Sequence, residues 1–179
     1  METKGPALAL PLLVWVLALA GCAGTPATGE RQYLLPSAGQ PAAHPALIVR
    51  VRVAGYLDQG GLVLETGPTT LTTARQHRWA EPLGAQLERA LAQALPGDPA
   101  GTLTVRVTRF QGTADGQARV SGEWHFYGRE NDTTGVFDVR RPLQRDGYEE
   151  LVTRLDAAWA AVAAQIGARM AAGAAPTAR

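Results

Sequence analysis

Only one of the 179 residues is cysteine, Cys22, which excludes an intrachain disulfide and a cysteine-based zinc cluster. Lysine is as scarce: Lys4 stands alone, and every other basic residue is Arg. Charge of one sign is also lacking, since 17 Lys+Arg oppose 16 Asp+Glu for a formal net charge of +1. That balance argues against the basic footprint of a dedicated nucleic-acid binder, so no nucleic-acid partner is expected. The chain has no Gly-x-Ser-x-Gly elbow, no Gly-rich phosphate loop and no Gly-x-Gly-x-x-Gly turn. Its three histidines, His44, His77 and His125, never fall at the spacing that sets two imidazoles on one helix face. His44 lies in a Pro/Ala stretch, His77 in the polar run Arg75–Arg78 before a helix, and His125 on the polar side of a strand. Each reads as a solvated surface histidine, and no catalytic, cofactor or metal site is expected. Hydrophobic residues at 46% and charged residues at 18% suit one ordinary globular domain.

The longest apolar run, from Ala7 to Ala20, covers 14 residues and is short of the roughly 20 a membrane-spanning helix requires. It has the length of a signal-peptide core. Leu19-Ala20-Gly21-Cys22 follows and resembles the bacterial lipoprotein processing box. The resemblance implies cleavage between Gly21 and Cys22 and a diacylglycerol thioether on the Cys22 sulfur. A plain secreted protein or an uncleaved anchor helix would leave a lone cysteine at this position to chance. Residues 1–21 are therefore expected to be a signal peptide, and residues 22–30 a flexible tether. Ala23 stands where lipoproteins retained in the inner membrane often carry Asp, which by analogy sends the product to the periplasmic face of the outer membrane. The ten residues between Cys22 and Tyr33 could reach about 35 Å if extended.

Beyond the tether the apolar pattern is that of a folded domain, residues 31–170, with a disordered tail at 171–179. Leu47–Val53 starts as a continuous apolar run and suits a strand buried on both faces. Residues 62–66 and 69–73 flank Gly67-Pro68 as a hairpin or corner. After Glu81-Pro82, apolar residues from Leu83 to Leu95 recur at helical spacing with Gln86, Arg89 and Gln93 opposite, and Pro96-Gly97-Asp98-Pro99 stops the helix. Leu103–Thr108, Val120–Tyr127 and Thr134–Arg141 read as an antiparallel meander with turns at 112–116 and 129–133. Its polar side carries Arg106, Glu123, His125 and Tyr127. A last helix spans Tyr148 to Met170, with Asp146 and Glu149 as a capping box and Glu149-Glu150 facing the helix macrodipole. These elements predict the α/β class: a mixed, largely antiparallel sheet with two amphipathic helices packed on one face.

Several segments, in order and behind the processing box, resemble the ABC-type transport auxiliary lipoproteins. They are Tyr33-Leu34-Leu35, Tyr56-Leu57-Asp58-Gln59, Arg78-Trp79-Ala80-Glu81-Pro82-Leu83 and Val105–Phe110 with Trp124 on the next strand. Gln59 departs from the family pattern, where Arg is expected, so an ion pair at that motif is absent. The resemblance implies a non-enzymatic, outer-membrane lipoprotein of an intermembrane lipid transport system. Its partners would be an MCE-domain protein and an ABC transporter or integral inner-membrane component, with a ring of its own copies as one arrangement. Tyr33, Tyr56, Leu57, Asp58, Arg78, Trp79 and Trp124 would serve packing or partner contact. Two other readings stay open: a module that binds an acyl ligand inside an apolar cavity, and a scaffold of the cell envelope.

Overall fold

The computed structural model describes residues 29–39, 46–95, 100–128 and 132–173. The expected signal peptide with Gly21, Cys22, most of the expected tether, His44, the Pro96–Pro99 stop, the start of the 129–133 turn and residues 174–179 lie outside them. Seven strands form one mixed sheet: β1 Arg31–Tyr33, β2 Leu47–Val53, β3 Gly61–Gly67, β4 Thr70–Trp79, β5 Gly101–Gly112, β6 Gln117–Gly128 and β7 Asp132–Pro142. Helix α1 covers Leu83–Ala94, and α2 covers Tyr148–Gly173, three residues past Met170. No helix of the described residues is long and apolar enough to cross a membrane. The fold class agrees with the periodicity.

The order across the sheet is β1-β4-β3-β5-β6-β7, with β2 attached to β5 as well. One edge of β5 is thus shared. It pairs parallel with β2 from Gly101 to Val107, then meets β3 at Gly112. Its other edge and both sides of the meander are antiparallel ladders. Because β2 and β5 run parallel, the chain between them must cross over, and α1 lies in that crossover. Glu88 of α1 closes the arrangement by accepting the Val51 N–H at 3.1 Å.

Along β5, Leu103, Val105 and Val107 point to the core while Arg106 is exposed. A register shift between Val107 and Arg109 inserts an extra residue, so the inward phase resumes at Phe110 instead of 109. Opposite the shift is Gly122. A Cβ there would run into the Arg106 carbonyl and come within 2.7 Å of the Phe137 ring, so a side chain would force the strands apart. β2 differs from the both-faces reading. Leu47, Val49 and Val51 are buried, but Ile48 is 52% exposed and Arg50 and Arg52 face solvent, because both helices lie on one side of the sheet. β4 continues six residues past 73, where β1 joins it in parallel from His77 to Trp79.

The helices dock on each other through Trp159, whose indole N–H donates to the Leu87 carbonyl at 3.1 Å and whose ring meets Phe137 edge-on. Two polar residues depart from the sequence reading. Gln86, assigned to the solvated side of α1, is fully buried. It accepts the Leu35 backbone N–H at 2.8 Å and donates to the Glu81 carbonyl at 3.0 Å. The segment after β1 has no strand partner at Leu35, so a side chain supplies what a ladder would. At α2, Gly147 (φ 113°) precedes the first turn, so Asp146 is displaced from the cap. Glu150, not Glu149, then occupies the third helical position. It is only 5% exposed, accepts the Gln144 N–H at 3.1 Å and pairs with Arg154 at 2.6 Å and Arg145 at 3.4 Å. Glu149 stays exposed, 3.8 Å from Arg31.

The Arg154 hydrogen bond, followed by the Gln144 N–H, holds the Glu150 carboxyl below its ordinary value of 4.5. A depressed carboxyl stabilises the fold above its unfolded value and loses that contribution as pH falls through the folded one. Thermal melts are therefore expected to drop below the ordinary carboxylate range, with a smaller acid-dependent drop in Glu150→Gln. An equal acid response in both proteins would remove Glu150 from the account. Gln86→Ala strips a buried N–H of its acceptor and is expected to cost about 1–3 kcal/mol in urea unfolding. Unchanged stability would mean that Leu35 finds another partner.

Candidate docking face

With both helices on one side, the opposite face of β2, β5, β6 and β7 is open among the described residues, and strand register decides which side chains meet there. Arg52 stands beside Arg106, Arg106 beside Glu123, and Glu123 beside Val136. The next row on that face runs Arg50, Thr104, His125, Thr134, and the one after Ile48, Thr102, Tyr127, Asp132. The four polar-side residues expected from alternation do share this face. The His125 and Tyr127 rings lie 3.6 Å apart between centroids, and Arg106 reaches Glu123 at 3.7 Å. That ion pair is 70% and 59% exposed on its two sides, so solvent screening leaves it weak. An open groove of about 610 Å³ crosses the face, lined among others by Arg50, Arg52, Arg106, Glu123, His125 and Val136. Ile48, Tyr127 and Val136 are exposed beside it, Val136 at 83%.

Arg50 and Arg52 escaped the sequence reading of this face. Their alternation with valine was visible, but their place beside β5 depends on a parallel pairing across some fifty residues. Neither has a carboxylate partner among the described residues.

The far end of the same face is occupied by its own polar network. Arg119 grips Asp138 through two bonds of 3.0 and 2.6 Å, and Ser121 donates to the same carboxylate at 2.9 Å. The Arg119 bond holds Asp138 below the usual carboxylate range. Gln111 donates to Glu65 at 3.0 Å and accepts from the Tyr56 hydroxyl at 2.9 Å, which also contacts the Thr108 carbonyl at 2.7 Å. Burial raises the Tyr56 phenol above its ordinary value.

The motif residues do not converge on one site. Tyr56 is tied into the network just described, Leu57 is buried beneath it, and Asp58 is exposed with no ion pair among the described residues. Arg78 donates to the Gln59 carbonyl at 3.4 Å and lies 3.6 Å from Glu30. Trp79 is buried against Phe110, and its backbone N–H donates to the Gly60 carbonyl at 2.7 Å. Trp124 is buried over Gly135, where a Cβ would approach the indole nitrogen to 2.7 Å. Tyr33 meets His77, its hydroxyl 2.8 Å from Nδ1, and the imidazole stacks on Tyr148 at 3.8 Å. His77 is thus a half-buried packing residue, contrary to its reading as a solvated one, because β4 runs on beneath β1. No group of three or more His, Cys, Asp or Glu able to hold a metal occurs among the described residues.

Comparison with known proteins agrees on the lineage. The family model for the ABC-type transport auxiliary lipoprotein component matches residues 33–98 and 96–167. The chain is 34% identical over 132 residues to the intermembrane transport lipoprotein PqiC of Escherichia coli, covering 66% of this chain and 71% of that one. The Shigella flexneri protein of the same name gives the same figures. A solved structure of an uncharacterized protein, 29% identical, superposes with a TM-score of 0.69 over 79% of this chain and 99% of its own. A Xanthomonas campestris structure at 16% identity shares the fold, with a TM-score of 0.58 over 77% of this chain and 90% of its own.

Proposed function

Since the chain belongs to the ABC-type transport auxiliary lipoprotein family, and so serves as an auxiliary component of a transport system, we propose that it works as a non-enzymatic, lipid-anchored adaptor. In this reading it sits on the periplasmic face of the outer membrane and docks an MCE-domain assembly. An ABC transporter or integral inner-membrane component stands at the other end. The observation that carries the reading is the family match across nearly the whole folded domain, joined to a helix-free sheet face whose residues are those of an interface. Arg and Tyr are enriched where binding energy concentrates, and Ile48, Tyr127 and Val136 add apolar area between the charges.

The physical logic is attachment at two points. Acyl chains on Cys22 contribute roughly 0.8 kcal/mol per buried methylene, so two or three of them hold the protein at a bilayer where one would not. The tether of about 35 Å reach then confines the docking face to a thin layer above the membrane. Confinement raises the effective concentration of the face toward a partner arriving from the periplasm, and a modest contact suffices to hold it. Copies of the chain arranged around one partner would multiply that effect.

Cys22→Ser is expected to abolish palmitate labelling and to shift the protein out of the outer-membrane fraction; a variant that fractionates unchanged would overturn the anchoring. A photo-crosslinking residue at Tyr127, in cells carrying the anchored protein, is expected to capture an MCE-domain protein. Capture of envelope proteins without any transport component would end the docking reading.

A further inference from the structure

Like charges stand side by side on the open sheet face. Arg52 and Arg106 are direct cross-strand neighbours, and Arg50 follows Arg52 two residues along the same face. Like charges directly opposite in a sheet are destabilising. Among the described residues, only Glu123 offsets them, from an exposed position on one side of Arg106. Farther along the face Arg119 is paired internally with Asp138. The guanidinium cluster is left unmatched, with Thr104 between Arg50 and His125 and with exposed Ile48 and Val136 to either side. Guanidinium forks pair best with planar oxyanions, held through two parallel N–H bonds.

We infer that Arg50, Arg52 and Arg106 form the recognition site for a narrow acidic segment of the docked protein, one that alternates carboxylates with apolar side chains. The inference rests on the docking reading above and names its partner chemistry. A segment, and not a bilayer, is the occupant that the charge layout fits. Glu123 and Asp132 flank the cluster on the same face. A planar anionic surface would press phosphates against both of them at once. An extended chain lying across β2 and β5 meets the three arginines and avoids the carboxylates. Its apolar side chains would cover Ile48, which is 52% exposed. Specificity then comes from pairing the arginines and orientation from the flanking negative charges.

The test uses the full-length chain with its anchor, in detergent, and a fluorescent synthetic peptide alternating Glu and Leu. Anisotropy is expected to report binding that weakens with added salt. The pair Arg52→Gln and Arg106→Gln is expected to weaken it at least about tenfold. Arg75→Gln, the same loss of charge at a remote exposed site on β4, should leave it unchanged. Melting temperatures should hold steady or rise in the double variant, since repulsion is relieved, which separates lost recognition from lost structure. Peptide binding that survives the double variant, or that falls equally in Arg75→Gln, overturns the inference. So does stronger competition by phosphatidylglycerol vesicles than by unlabelled peptide, with the vesicle effect lost in the double variant. The Tyr127 crosslink reads the docking proposal separately: partner capture that is indifferent to the arginines leaves docking intact and removes the acidic segment.

Discussion

Sharing of one edge of β5 between β2 and β3 is the constraint from which most of the molecule follows. β5 pairs with β6 on one edge and with β2 and then β3 on the other, and its inward side chains Leu103, Val105 and Val107 are fully buried. The parallel partner β2 forces a crossover, the crossover supplies α1, and α1 returns to the sheet by way of Glu88 and the buried leucines. Helix α2 then closes the same side, tied to α1 by the Trp159 indole. Both helices are committed to one face, and no described element covers the other.

That uncovered face is divided. At one end, side chains satisfy one another: Arg119 with Asp138, and Gln111 with Glu65 and Tyr56. At the other end, the regular alternation of β2 and β5 brings three guanidinium groups together, with one exposed carboxylate, Glu123, beside them on β6. The register shift after Val107 separates the two ends, because it changes which residues of β5 point outward. The Arg119–Asp138 and Gln111–Glu65 pairs lie on one side of that shift, and Arg52 and Arg106 on the other. The functional proposal draws on the same division, since a contact surface requires groups that the fold has left unsatisfied.

Much of this was legible in the chain itself. Period-two alternation located β5, β6 and β7, helical periodicity located α1 and α2, and Gly67-Pro68 marked the β3–β4 corner. The outward set Arg106, Glu123, His125 and Tyr127 came from the same alternation, and the ordered segments from Tyr33 to Trp124 carried the family resemblance. The errors share a cause. Polarity alone places Gln86 in solvent, yet the chain at Leu35 lacks a strand partner and takes the amide instead. His77 was assigned to solvent because its neighbours are polar, yet β1 and Tyr148 close over it. Asp146 was assigned as a cap one residue before the turn that Gly147 makes.

Sequence alone therefore determined which segments are strands and helices, which side of each is apolar, and the family to which they belong, because these are properties of neighbours a few residues apart. Tertiary structure decided that β2 lies against β5, that Arg50 and Arg52 join Arg106, and that Gln86 and Glu150 are buried with partners. Those outcomes depend on which distant segment completes each hydrogen-bonded edge. That choice is made by packing the whole sheet against both helices, and no local pattern encodes it.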